Sequence, residues 1–259
     1  LLITSGSVLG FMTPISAAVA NWFNRRRSLA FGIVLSGVGL GGLMVPLLSW
    51  MIDTYEWRTT AVFLGIAIWV IGIPVAMVIK HRPEPHGYWP DGIAPPGHQS
   101  TAASPESPVS TQSEGLTPLQ ALTTSSFWFL STSTGVRMVI TTGLAVHMIP
   151  YMVGMGISPT TAAATWGMTA VLSIPGRFGV GFLGDYFDKR HIIAGCLALM
   201  AASLVGINMA DTLTNIIPTL VAFALAFGGL ATLPFALRAE YFGRRHFGTI
   251  HGFSSTVQT

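Results

Sequence analysis

Charge is what this chain has least of. Only 9% of its 259 residues are Asp, Glu, Lys or Arg, against about 25% in a water-soluble domain, and that shortage excludes an ordinary solvated surface. Cysteine is scarcer still. Cys196 stands alone, which rules out an internal disulfide and a thiolate metal cluster and leaves it as a small packing residue. Acidic residues are missing from every long apolar run. Leu1-Leu2-Ile3 open the chain inside such a run, with neither a methionine nor a basic flank. The start is therefore not expected to be a signal peptide, and both ends are expected to be cuts through a longer protein.

What is present is apolar. Hydrophobic residues make up 51% of the sequence, and the mean hydropathy is +0.60. Seven runs can cross a bilayer: 1–22, 28–51, 60–80, 126–152, 159–183, 191–210 and 213–237. An eighth begins near Thr249. Each is close to the roughly 20 residues that a helix needs to span about 30 Å of hydrocarbon. One buried core does not require seven such runs. The sequence predicts an all-α, polytopic membrane protein.

The basic residues orient it. If the first run crosses from outside to inside, Arg25, Arg26, Arg27, Lys80, Arg82, Lys189, Arg190, Arg238, Arg244 and Arg245 fall on the cytoplasmic side, and Arg58 alone falls outside. The opposite orientation inverts this positive-inside bias. The net charge of +3 thus reports topology, and nucleic acid is not an expected partner. Short external loops are expected at 53–58, at 155–160 and around Asp211.

Residues 81–125 hold eight prolines, Pro83, Pro85, Pro90, Pro95, Pro96, Pro105, Pro108 and Pro118, among many Ser and Thr. Such a segment buries too little apolar area to offset its ordering entropy, so it reads as a flexible cytoplasmic linker. His81, His86 and His98 belong to it as solvated residues rather than metal ligands. The expected organisation is residues 1–80 as the second half of an N-terminal bundle, 81–125 as linker, and 126–259 as an incomplete C-terminal bundle. An internal echo agrees. Pro14, Trp22-Phe23-Asn24-Arg25-Arg26 and Gly32 recur in the same order as Pro234, Tyr241-Phe242-Gly243-Arg244-Arg245 and Gly252. Parallel repeats of this kind mark transporters with two similar halves and a central substrate site.

Two stretches carry a family resemblance. Gly181-Phe182-Leu183-Gly184-Asp185-Tyr186-Phe187-Asp188-Lys189-Arg190 resembles the cytoplasmic loop motif of the major facilitator superfamily. It departs at Tyr186, where a basic residue is usual, and at Asp188, where glycine is usual. Gly181 would permit close helix packing, Asp185 would cap or pair with a neighbouring helix end, and Lys189 and Arg190 would hold the loop inside. The second stretch is Trp22-Phe23-Asn24-Arg25-Arg26-Arg27-Ser28-Leu29-Ala30-Phe31-Gly32, with Ser36-Gly37 and then Glu56-Trp57-Arg58. It looks like the monocarboxylate-transporter and oxalate/formate-exchanger branch, with Glu56 where that branch has glycine. The ending Glu240-Tyr241-Phe242-Gly243 also fits. The resemblance implies a two-bundle fold of twelve helices, of which this chain covers the fourth to the start of the eleventh.

Gly37, Gly39, Gly41 and Gly42 lack the preceding strand of a nucleotide-binding loop. Gly37 and Gly41, four apart, are expected instead to let helices approach.

Arg137 and Arg177 fall inside apolar runs, about 16 Å and about 12 Å from the cytoplasmic ends of their helices. A charge at mid-bilayer costs roughly 2.5–3.5 kcal/mol on insertion scales, so each is a functional candidate. Without an acidic partner in these runs, they suit an anionic substrate, whose carboxylate guanidinium can grip with two parallel bonds. The structural alternatives are that Arg177 snorkels towards the cytoplasm or braces the Asp185 loop, and that Arg137 pairs with a carboxylate on helices outside this chain. The resemblance implies that an arginine at the place of Arg177 helps hold substrate. Proton-coupled members of the branch pair it with an acid one turn earlier, where this chain has Ser173, so anion exchange or another coupling is favoured over proton coupling. His147 is expected to be a hydrogen-bonded structural residue.

The resulting expectation is a multi-pass protein of the plasma (inner) membrane that carries small mono- or dicarboxylates, as antiporter or symporter. Its partners are the anion, the bilayer and, in the coupled case, an ion. No enzymatic chemistry, cofactor or metal is expected. A non-transporting sensor on the same fold is the alternative, since fold does not fix function. The orientation predicts that a cysteine placed at Thr111 reacts only with reagents that enter the cytoplasm, and one at Asp211 with external reagents. Labelling of position 111 from outside intact cells would overturn it.

Overall fold

The computed structural model describes residues 13–80, 83–92, 115–243 and 246–256. The first twelve residues of the first run, most of the linker (93–114), the histidines His81 and His98, and Arg82, Arg244 and Arg245 lie outside them. The described residues form nine α-helices and no strand. In chain order they are α1 (Thr13–Trp22), α2 (Arg27–Gly41), α3 (Val45–Val78), α4 (Pro118–Thr123), α5 (Ser125–Gly154), α6 (Pro159–Tyr186), α7 (Lys189–Asn208), α8 (Leu213–Phe242) and α9 (Phe247–Thr256).

Within the described residues, four helical stretches are long and apolar enough to cross a membrane: Trp50–Val78 in α3, then α5, α7 and α8. Helix α6 matches them in length at 28 residues, but its Thr, Ser and Gly residues and Arg177 lower its hydropathy. The apolar run 28–51 is not one helix. It breaks at Gly41-Gly42 into a 3-10 turn, Gly42–Met44, and restarts with Pro46 in the first turn of α3. The external loop expected at 53–58 is only a kink. Glu56 alone leaves helical geometry inside α3, at φ 68 and ψ 158. That is a backbone region which essentially only glycine occupies without strain, at the position where the motif it resembles carries glycine. Beyond the kink, Trp69, Met77 and Val78 are 72%, 80% and 78% exposed, a surface suited to hydrocarbon rather than water.

The chain gathers into two compact units, each drawing on segments from both sides of residues 81–125. The first comprises residues 1–27, 81–136 and 235–259. In it α1 packs against α9, so the two echoing turn regions bring their helices together. Its apolar centre is Ala121, Phe127, Phe242 and Ile250. Thr117 and Gln120 form a reciprocal capping box at the start of α4. The early linker is not loose. Residues 83–92 make two 3-10 turns, and the Asp91 carboxylate accepts from the backbone amides of Asn24 at 2.9 Å and Arg25 at 2.7 Å. Those charge-assisted bonds, with Trp22 and Tyr88 rings 6.2 Å apart, supply the local anchoring that the proline content alone does not suggest.

The second unit comprises residues 28–80 and 137–234. Its core is two clusters, one around Met148, Met152, Ile207, Ile216 and Leu220, the other around Cys196, Met200, Phe223 and Leu230. Helix α6 runs through it, approached by α2 and α8 at glycines. A Cβ on Gly32 would stand 2.6 Å from the Arg177 carbonyl oxygen, and one on Gly39 would stand 2.9 Å from that of Ala170. One on Gly228 would stand 2.2 Å from the Ser173 oxygen. Gly37 and Gly41, the expected packing pair, instead meet nothing within 4 Å. The reason is angular. Gly32 and Gly39 lie two turns apart on the face of α2 that meets α6, whereas Gly37 and Gly41 share a different face. Gly228→Ala should therefore destabilise the protein by about 1–3 kcal/mol through overpacking, seen as a lower thermal midpoint in detergent. Gly37→Ala should leave that midpoint unchanged or slightly raised.

Candidate functional site

Two of the candidate residues share one place in the second unit. Arg177 on α6 is only 3% exposed, and its Nη1 donates to the Leu35 carbonyl of α2. Arg137 on α5 is half-buried. Each guanidinium carbon lies 5.8 Å from the centroid of the same ring, Phe227 on α8, so the two cations are at most twice that distance apart. A ring face offers negative quadrupole to a cation, so Phe227 gives both guanidiniums a favourable neighbour in a place where the two charges only repel each other. Neither arginine forms an ion pair among the described residues. The Nε atoms of both are buried without a hydrogen-bond partner. Donors left unpaired in a desolvated place carry a large penalty, which an anion bound there removes.

The close approach of α2 makes this possible. Leu35 follows Gly32 by about one turn, so the contact of Gly32 with the Arg177 backbone brings the Leu35 oxygen within reach of the Arg177 side chain. Ser173, one turn earlier on α6, is fully buried, and its hydroxyl donates to the Ala170 carbonyl at 2.6 Å. A hydroxyl so bonded supplies no ionising partner to Arg177. His147 differs from expectation. It is exposed on α5 and makes no hydrogen bond among the described residues, because no described helix covers that face.

The loop-motif residues form a second locus at the other end of α6. Asp185 accepts from the backbone amides of Ser28 at 2.9 Å and Leu29 at 3.1 Å, one on each carboxylate oxygen. It thereby closes the first turn of α2, where amides lack intrahelical partners and the helix dipole favours negative charge. Gly181 and Gly184 leave room for that turn. A Cβ on the first would stand 2.9 Å from the Ser28 oxygen, and one on the second 3.2 Å from the Ser28 side chain. Asp188, where the motif usually has glycine, is the N-cap of α7, its carboxylate accepting from the Arg190 amide at 2.9 Å. Lys189 and Arg190 form the first turn of that helix.

Three polar residues escaped the sequence reading. Arg238, assigned only a topological role, is 2% exposed in the first unit. Its Nη2 donates to the Thr134 hydroxyl at 3.1 Å, and its Nη1 lies 3.4 Å from Nδ1 of His251. Guanidinium only donates, so Nδ1 must be the accepting nitrogen of His251. The apolar run in the sequence ends at 237, whereas α8 continues a full turn past Arg238 to Phe242, so the residue stands too deep for an edge role. Phe227 was missed because one Phe among fifteen carries no mark of its position.

The sequence pattern of the Major Facilitator Superfamily matches residues 1–259. The chain belongs to that family of integral membrane proteins. It is 27% identical over 253 residues to monocarboxylate transporter 13 of Bos taurus, covering 94% of this chain and 52% of that protein. It is 26% identical over 235 residues to monocarboxylate transporter 12 of Mus musculus, covering 85% and 48%. The MFS transporter asaE of Aspergillus flavus is 26% identical over 237 residues, covering 88% and 47%. The chain thus spans about half the length of the curated relatives it matches.

The Asp185 geometry predicts a graded loss. Asp185→Ala should destabilise by about 1–2 kcal/mol, as other cap deletions do, while Asp185→Asn, which keeps one accepting oxygen, should lose less. Thermal midpoints in detergent decide it. Equal losses in the two variants would mean that the charge matters and the capping geometry does not.

Proposed function

We propose that this chain belongs to a secondary transporter that carries small organic anions, mono- or dicarboxylates, across a plasma (inner) membrane by alternating access. One observation carries the substrate class: Arg177 and Arg137 converge on Phe227 with buried, unpartnered Nε atoms and no carboxylate to neutralise them among the described residues. A carboxylate that took the free edge of Arg177 would meet two parallel donors, with Arg137 beside the same ring to attract its charge. A dicarboxylate could engage both cations. The mammalian relatives are named monocarboxylate transporters, which supports the same chemistry.

Coupling follows from what stands beside the arginine. Ser173 does not ionise, so a proton carried on an acid one turn from Arg177 is not part of this mechanism, and exchange of one anion for another is the favoured mode. In such a cycle the bound anion offsets the desolvated cations, and the loaded site can be exposed to either side at lower electrostatic penalty than the empty one. Asp185, tied to the first turn of α2, acts on that exposure step rather than on binding. The arginine and lysine distribution puts the 81–125 connection on the cytoplasmic side.

Arg177→Gln should weaken carboxylate binding by about 2–5 kcal/mol, a loss of tens- to thousands-fold. Arg177→Lys keeps the charge without the two-pronged grip and should be partly active. Labelled-carboxylate exchange by the full-length protein in proteoliposomes, with folding verified by its thermal midpoint, tests both. Parent-like affinity in Arg177→Gln would make Arg177 structural and leave Arg137 to carry the anion. Binding without any movement of label would favour a sensor on the same fold.

A further inference from the structure

The turn between α1 and α2 and the segment after α3 enclose a cleft of about 470 Å³ in the first unit. Its walls are aromatic, from Trp22, Phe23, Tyr88 and Trp89, and Arg25 and Arg26 line it as well. The cleft has an unbalanced charge. Asp91, its acidic wall residue, is engaged by the amides of Asn24 and Arg25. Arg27 is turned away into the protein, with Nε donating to the Phe23 carbonyl at 3.0 Å and Nη2 to the Asn24 side chain at 2.9 Å. The guanidinium groups of Arg25 and Arg26 are exposed and without an ion pair among the described residues. Two free cations among four aromatic rings, immediately after an apolar helix, fit a ligand that is anionic at one end and lies at the bilayer edge.

From this we propose that the cleft binds the phosphate headgroup of an anionic membrane phospholipid. Tryptophan and tyrosine settle at headgroup depth, and basic residues next to a spanning helix attract the anionic lipids of the cytoplasmic leaflet. The Asp91 tether completes the site, because it brings Tyr88 and Trp89 over the turn that carries the two arginines. The inference rests on the cytoplasmic placement of the α1–α2 turn and is independent of the anion proposed at Arg177.

Lipid retention by the purified full-length protein, read by native mass spectrometry, tests it without any transport measurement. The parent should retain phosphatidylglycerol in preference to phosphatidylcholine, and R25Q/R26Q should bind it about thirty-fold more weakly. R25K/R26K should keep most of the binding, since lysine holds phosphate as a point charge. If the double glutamine variant fails to fold, R25Q and R26Q singly should each lose about five-fold. Equal retention of the two lipids by the parent, or undiminished phosphatidylglycerol binding by a folded R25Q/R26Q, would overturn the proposal. Tight binding of soluble glycerol phosphate with no lipid preference would equally overturn it, by making this a site for a soluble phosphate.

Discussion

The second unit depends on how closely its helices approach α6. In hydrocarbon no water drives helices together, so association relies on packing, and packing tightens where glycine lets backbones meet. Gly32 lies against the backbone of Arg177, and Gly228 against that of Ser173. These contacts do more than fill space. They bring a second helix's carbonyl to a buried guanidinium, so part of the Arg177 charge is satisfied by α2. A bulkier residue at Gly32 would separate the Leu35 oxygen from its donor as well as disturb the packing.

The same two helices are joined again at the start of α2 by Asp185. A carboxylate from α6 closes the amides of Ser28 and Leu29, and Gly181 and Gly184 make the space for them. One helix pair is thus secured by an acid at one end and by an arginine part-way along. Both links are charge-assisted and directional. Arrangements of that kind exchange between discrete states rather than deforming by degrees.

Buried arginines are treated differently in the two units. Arg238 has a hydroxyl and an imidazole within reach, and aromatic rings of Phe235 and Phe247 lie beside that imidazole. Arg137 and Arg177 share an aromatic ring and retain unpartnered donors. A satisfied polar group stabilises structure, and an unsatisfied one calls for a partner. That contrast separates an arginine satisfied within the protein from a pair that keeps free donors.

The sequence by itself determined the class. The shortage of charge, the length of the apolar runs and the loop around Gly181 and Asp185 depend on local composition and spacing, and these identified an all-α membrane protein of the major facilitator kind. It also marked Arg137 and Arg177, because a charge in hydrocarbon stands out without any fold. Only the tertiary structure decided which glycines meet another helix, since Gly37 and Gly32 differ in facing and not in chemistry. It alone brought Phe227 beside both arginines, turned Asp188 into a cap, and fastened Asp91 of the proline-rich segment to the turn at Asn24. Such pairings join residues far apart in the chain, and a pattern read along one strand of sequence contains no information about which distant backbone will be near.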